Sequence, residues 1–384
     1  MPPGVERADV VIVGGGIVGA SIAYHLAARG VHDVVVLERD ELGSGSTTRN
    51  AGGVRLQFST EINVRLSLRS LPRIEHFAEE MGVDPQLRQV GYLFLITEER
   101  DVGPFEESLA MWKRLGVPAQ RLDAAGVHQL FPQLRVDDVR FATLCMRDGY
   151  CDPTSLLNGY VARAREKGAR FREHEPAVGI TRQGDRVTAV RTAKGEITCG
   201  TLVDAAGAWG AEVGKLAGVD LPIRPLRRQI FVTEPVAGLD RDFPLTVEFA
   251  TSLYFHRESG GVLMGMADPT DGPGFDATVN WDFLPTLVER ALYRLPILER
   301  ANVKTGWAGF YEDTPDKHPI IGAIPGLEGF LCAAGFSGHG IMHAPAAGEA
   351  IAELVVDGRT SFDIAPLAYD RFRRGDLIKE HNVI

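Results

Sequence analysis

The feature that most constrains this chain lies in its first forty residues. Residues 9–13 (DVVIV) form a short apolar run rich in β-branched side chains, the pattern of a parallel strand buried on both faces. Gly14, Gly16 and Gly19 follow at once in GxGxxG spacing. The first glycine permits a tight turn, the second lets backbone approach a pyrophosphate, and the third lets helix and strand pack closely. The pattern predicts a helix over 17–29 closed by Gly30, then a second strand, 34–37, ending in Glu38. A helix N-terminus at this turn would hold an anion, and Glu38 would accept hydrogen bonds from an adenosine ribose. Alone, the glycines make only a turn. Within this strand, helix and acid they read as a dinucleotide site.

The chain has 384 residues, enough for two interleaved domains at ~100–200 residues each. With 41 basic against 51 acidic residues, a net charge of −10 and no basic run, a nucleic-acid partner is not expected. Cys145, Cys151, Cys199 and Cys332 show neither a CxxC pair nor a zinc spacing, so neither a disulfide framework nor a metal is expected, and a reducing compartment fits. The start, MPPGVERAD, lacks the features of a signal peptide, and no apolar stretch reaches the ~18–20 residues of a membrane span. The expectation is a cytoplasmic protein without a membrane partner.

Residues 43–53 (GSGSTTRNAGG) read as a loop at the carboxyl ends of the strands, where ligands sit in open α/β sheets. From about 81 to 150, short strands such as 92–96 mix with helical segments, which marks an inserted region. Alternating runs at 177–182, 186–192 and 195–203 predict an antiparallel meander leading back into the first domain at 202–205. Strand-like runs over 223–267 and a helix over about 282–294 supply the second domain. The last segment resumes the strand–glycine–helix order, with GFLCAAG ending at Gly335 and a helix closed by Gly358.

The N-terminal unit, GSGSTTRNAGG, AAGAW at 205–209, TPDKHPIIG at 314–322 and GFSGHG at 335–340 occur in an order that resembles, over nearly the whole length, the D-amino-acid oxidase superfamily of flavoenzymes. The resemblance is nearest to the sarcosine oxidase β-subunit, glycine oxidase and L-proline dehydrogenase branch. It implies FAD and an α/β FAD-binding Rossmann-like domain interleaved with an α+β substrate domain built on an antiparallel sheet. The implied boundaries are 1–80, 150–215 and 305–375 for the first domain, 81–149 and 216–304 for the second. The cofactor positions it implies are Gly14, Gly16, Ile17, Gly19, Glu38 and Arg39 in the first unit, and Ser46, Thr47, Arg49 and Asn50 in the loop. Val178, Ala206, Gly207 and Trp209 follow, then Gly335, Ser337, Gly338, His339, Gly340 and Met342 in the last turn and helix. A glycine-rich turn opening a helix presents free N–H groups and a positive dipole end, which would favour the charge a reduced flavin gathers.

Arg55 matches the position of an arginine that binds the substrate carboxylate in monomeric sarcosine oxidases, and a guanidinium suits that task. A surface arginine, or one paired with Glu61, is the alternative. Arg49 could face the cofactor phosphates. Departures from the family narrow the reading. The position of the flavin-linking cysteine holds Gly309, that of the carboxylate-binding arginine of glycine oxidase holds Tyr311, and that of the histidine linking FMN in some β-subunits holds Cys151. The expectation is therefore non-covalent FAD, with Tyr254 and Tyr311 as aromatic walls and Cys151 as a core residue. No lysine stands near Leu263, where sarcosine oxidases place one to activate oxygen, and the second carboxylate-binding lysine maps to Met342. His339 and His343 share one helix face without a third ligand, so no metal is expected. His343 either lines the pocket or is a hydrogen-bonded helix histidine.

The resemblance implies oxidation of a secondary amine or N-methyl amino acid, sarcosine- or proline-like, by hydride transfer to flavin N5, giving an imine; with one cation fewer at Met342, a larger or less acidic substrate is also open. A flavoenzyme oxidising 2-hydroxy acids and a flavin-binding subunit needing a partner chain are the alternatives. Both a homo-oligomer and a hetero-oligomer are compatible with it.

Overall fold

The computed structural model describes residues 5–384. Its opening strand, Val5–Val13, carries the buried run Val10, Val11 and Ile12 and lies between Val34–Leu37 and Gly195–Asp204, parallel to both. Phe330–Ala334 extends the parallel order beyond Gly195–Asp204, and Arg170–Arg172 extends it beyond Val34–Leu37. Ile320–Ala323 closes one edge, antiparallel to Phe330–Ala334. The hairpin Gly179–Gln183 with Arg186–Thr192 pairs antiparallel along Gly195–Asp204, completing an eight-stranded sheet.

The helix Ile17–Ala28 is buried almost all round because it is packed between the sheet and the helices Gly340–Asp357 and Pro153–Glu166. Ile17–Ala28 and Gly340–Asp357 cross on small residues. Ser21 donates its hydroxyl to the Ala344 carbonyl at 2.8 Å, and a Cβ at Gly348 would overlap Ser21 Oγ. Gly14 takes φ +114° against the Ala205 carbonyl, and Gly19 lies directly on the Gly14 carbonyl. The long helix ends at Gly358, in the left-handed conformation (φ +70°) that glycine tolerates best.

A second eight-stranded sheet runs in the order Val303–Asp313, Arg224–Thr233, Gly261–Gly265, Leu253–Glu258, Leu245–Glu248, Tyr92–Ile96, Phe141–Cys145 and Gln120–Leu122. Its pairs are antiparallel except Leu245–Glu248 with Tyr92–Ile96, where strands from distant parts of the chain meet in parallel. One face packs against the helix Leu284–Arg294, with Leu287, Ala291 and Leu295 in a cluster with Phe231, Phe255 and Leu93. A two-stranded ribbon, Gly53–Val54 with Gly149–Tyr150, leads directly into Arg55. All four cysteines are free and buried. Among the described residues, no helix is long and apolar enough to cross a membrane.

Candidate active site

One cavity of about 680 Å³ opens where the carboxyl ends of the first sheet's strands meet the second sheet. That volume lies in the roughly 300–1,000 Å³ range of small-molecule and cofactor sites. At its outer end, Glu38 accepts the Gly15 N–H at 2.8 Å and the Asp40 N–H at 2.9 Å. Nearby, the Arg39 guanidinium lies 4.0 Å from the Trp209 ring, and Trp209 stacks on Phe275 with centroids 5.2 Å apart. In the middle, Thr47 Oγ1 accepts the Ile17 N–H at 3.0 Å, tying the Ser–Thr loop to the first helix. Ser46 donates to the Phe310 carbonyl at 2.6 Å, Asn50 to the Thr47 carbonyl at 2.6 Å, and Arg49 to the Ala308 carbonyl at 3.1 Å.

The inner end is aromatic and cationic. Tyr92, Tyr254 and Tyr311 line it with Arg55 and Arg228, and burial pushes all three phenols up, so they stay neutral donors. Arg55 is 2% exposed and lies 3.9 Å over the Phe58 ring. Its terminal nitrogens donate to the carbonyls of Gln57 and Asn382, and Nη2 is 3.3 Å from His339 Nε2. Burial first, then the Arg55 charge, holds His339 well below its ordinary pKa, so its ring is neutral. The 340–357 helix opens on the cavity through Gly340, Ile341 and Met342, and no side chain caps its first turn.

Most of the residues singled out in the sequence line this one cavity, from Gly14, Gly16 and Ile17 through Ala206 and Gly207 to Gly338 and Met342. Five do not. Gly19 faces the Gly14 carbonyl, and its role is close packing. Val178 is 53% exposed with its N–H bonded to the Arg191 carbonyl, and Pro176 and Ala177 line the cavity in its place. Gly335 gives its N–H to Glu312 Oε2 at 2.6 Å, and the Ser337 hydroxyl lies 3.3 Å from the Thr314 N–H, so both shape the turn from behind. His343 turns away, with Nε2 3.0 Å from Ser67 Oγ and its ring 5.1 Å from Phe58; burial lowers it to about 3. It is the hydrogen-bonded helix histidine of the two readings. Arg55 is neither at the surface nor paired with Glu61, which binds Arg65 and Arg114. Tyr92, Arg228, Glu312, Phe275 and Ile384 line the cavity without having been signalled by any motif.

These residues fit FAD. Glu38 suits ribose hydroxyls, and the positive end of the first helix suits a pyrophosphate, although Gly15 and Ile17 give their N–H groups to Glu38 and Thr47. Gly16 has room for this approach, since an added Cβ would touch only Thr47 Oγ1, at 3.1 Å. The uncapped turn at Gly340 would offer donors and a positive dipole end to the charge that a bound isoalloxazine gathers on reduction.

Comparison with known proteins agrees. A family model described as FAD dependent oxidoreductase matches residues 9–354. The FAD-dependent oxidoreductase domain-containing protein 1 of Xenopus laevis is 34% identical over 435 residues, covering 100% of this chain and 86% of the relative. Mitochondrial dimethylglycine dehydrogenase of Rattus norvegicus is 30% identical, covering 97% of this chain and 45% of its own length. The crystal structure of L-proline dehydrogenase from P. horikoshii superposes with a TM-score of 0.91 at 34% identity, over 97% of this chain and 100% of that one. Glycine oxidase from Geobacillus kaustophilus gives a TM-score of 0.87 at 28% identity, over 96% and 99%. The chain belongs to the FAD dependent oxidoreductase family, within the D-amino-acid oxidase superfamily that its motifs indicate, and its cofactor is FAD.

Proposed function

We propose that the protein oxidises a small secondary-amine or N-methyl amino acid at the carbon next to nitrogen, giving an imine. The observation that carries this reading is the inner compartment, where Arg228 and three tyrosines of the second sheet line the cavity together with Arg55, which follows the Gly53–Val54 ribbon. Cations there attract the substrate's carboxylate. They also disfavour the protonated amine, leaving the lone pair that assists departure of the hydride. The tyrosine rings exclude water and fix the orientation of a small substrate. Bound FAD supplies the two-electron acceptor for that hydride. The amine's proton and hydride together account for the two hydrogens lost on forming the C=N bond.

Gly309 offers no side chain for a covalent link, and Arg49 fills the space beside it, since a Cβ at 309 would lie 3.0 Å from Arg49 Cβ. The proposal is therefore for non-covalent FAD. The proline and dimethylglycine relatives are named as dehydrogenases, and the buried strand Gly261–Gly265 carries no lysine. An electron acceptor other than oxygen follows from this reading. Anaerobic mixing of the yellow holoenzyme with sarcosine, other N-methyl amino acids and L-proline should bleach the visible flavin band with at least one of them. Bleaching by 2-hydroxy acids alone would replace the amine reading.

A further inference from the structure

Among the described residues, neither arginine of the inner compartment forms an ion pair, and Arg228 leaves most of its donors without acceptors as well. Arg228 sits on the strand Arg224–Thr233 opposite Gly309, on the same face as Ile230, and both line the cavity. Its neighbour Arg227 points the other way, to Asp271. Among the described residues, Arg228 makes one hydrogen bond, from Nη1 to the Arg227 carbonyl at 2.9 Å, and its Nε is buried with no acceptor. Its guanidinium carbon lies 5.0 Å from the Tyr311 ring centroid.

Arg55 also lacks an ion pair among the described residues but has its donors satisfied. Its terminal nitrogens are taken by the carbonyls of Gln57 and Asn382 and by His339, and Phe58 covers its face. The Asn382 contact is reinforced close by, where Glu380 accepts from Ser59 Oγ at 2.6 Å and from Thr60 Oγ1 at 2.7 Å. Arg55 thus fastens the 380–384 segment, whose Ile384 lines the cavity.

A half-buried guanidinium without a counterion is costly, and its planar fork matches a carboxylate through two parallel hydrogen bonds. Arg228 stands on the second sheet beside Tyr311, and Tyr254 lines the same cavity, whereas the glycine turn proposed for the pyrophosphate follows a strand of the first sheet. We infer that Arg228 is the residue that receives the substrate's carboxylate, and that Arg55 holds the wall behind it. The inference rests on the amino-acid reading above in taking the ligand's anion to be a carboxylate.

Its test needs no turnover. The holoenzyme is titrated with pyrrole-2-carboxylate, a planar carboxylate that cannot be oxidised like an amine, and with the neutral pyrrole-2-carboxamide, following the flavin spectrum. Arg228→Gln should raise the Kd of the carboxylate by roughly 10- to 100-fold, the range for losing a charge-assisted pair, and leave the carboxamide unchanged. Arg228→Lys, which keeps the charge and loses the fork, should fall between, and it carries the test should the glutamine variant lose FAD. An unchanged carboxylate Kd in these variants overturns the assignment, as does equal weakening of both probes or a wild-type enzyme that does not bind the carboxylate. Should no amine bleach the flavin while carboxylate binding still depends on Arg228, the proposed reaction fails and the assignment of Arg228 stands.

Discussion

At Gly338 the backbone takes φ +92°, and an added Cβ would lie 2.5 Å from the Tyr311 ring. Gly338→Ala therefore carries both backbone strain and a clash with a cavity wall, and should cost roughly 1–3 kcal/mol. A lower flavin-to-protein ratio after purification and a lower Tm are the expected readings. Asp148 behind Arg55 is a different kind of constraint. It is fully buried, accepts the Leu56 N–H at 3.0 Å, and burial raises its pKa from an ordinary 3.8 to about 7 against the lowering effect of its hydrogen bonds. The folded chain binds this proton more tightly than the unfolded one. Its stabilisation is thus full below about pH 3.8 and is lost as pH rises through about 7. Asp148→Asn should flatten that decline, whose slope is at most about 1.4 kcal/mol per pH unit for one proton. Urea midpoints of both proteins at pH 5 and pH 8 check it. The glycines and Glu38 were legible in the sequence because their spacing encodes a backbone shape. Arg228 was not, because strand alternation puts Arg227 and Arg228 on opposite faces without saying which face is the cavity.

Elements were legible where one periodicity ran unbroken. The first strand, the first helix and the 340–357 helix with its Gly358 stop follow from apolar runs and glycine punctuation. The parallel contact of Leu245–Glu248 with Tyr92–Ile96 was not, since nothing local records a pairing across so much chain. Nor did any motif mark the 380–384 segment, held by one buried carboxylate and one arginine. The crossing of the two central helices depends on Gly348 lying against Ser21 and His25. Gly348→Ala should push the helices apart and cost about 1–3 kcal/mol, in spite of alanine's better helix propensity. A fall in the urea midpoint without a change in the m-value would register it, and a rise would show that the helices can yield.

For the whole molecule, two sheets of different connectivity enclose one cavity, with the glycine turn on one and most of the aromatic, cationic compartment on the other. The motifs specified the cofactor half because phosphate and ribose recognition fixes residue types at fixed offsets. The substrate half carries no such code: its side chains come from separate strands, and substrate choice follows from which of them converge. The measurement closest to the central claim is an anaerobic titration of the holoenzyme with sarcosine, other N-methyl amino acids and L-proline, counting imine formed against flavin bleached. The account predicts that at least one of these amines reduces the flavin with one imine per flavin. Complete absence of bleaching across that panel would contradict it.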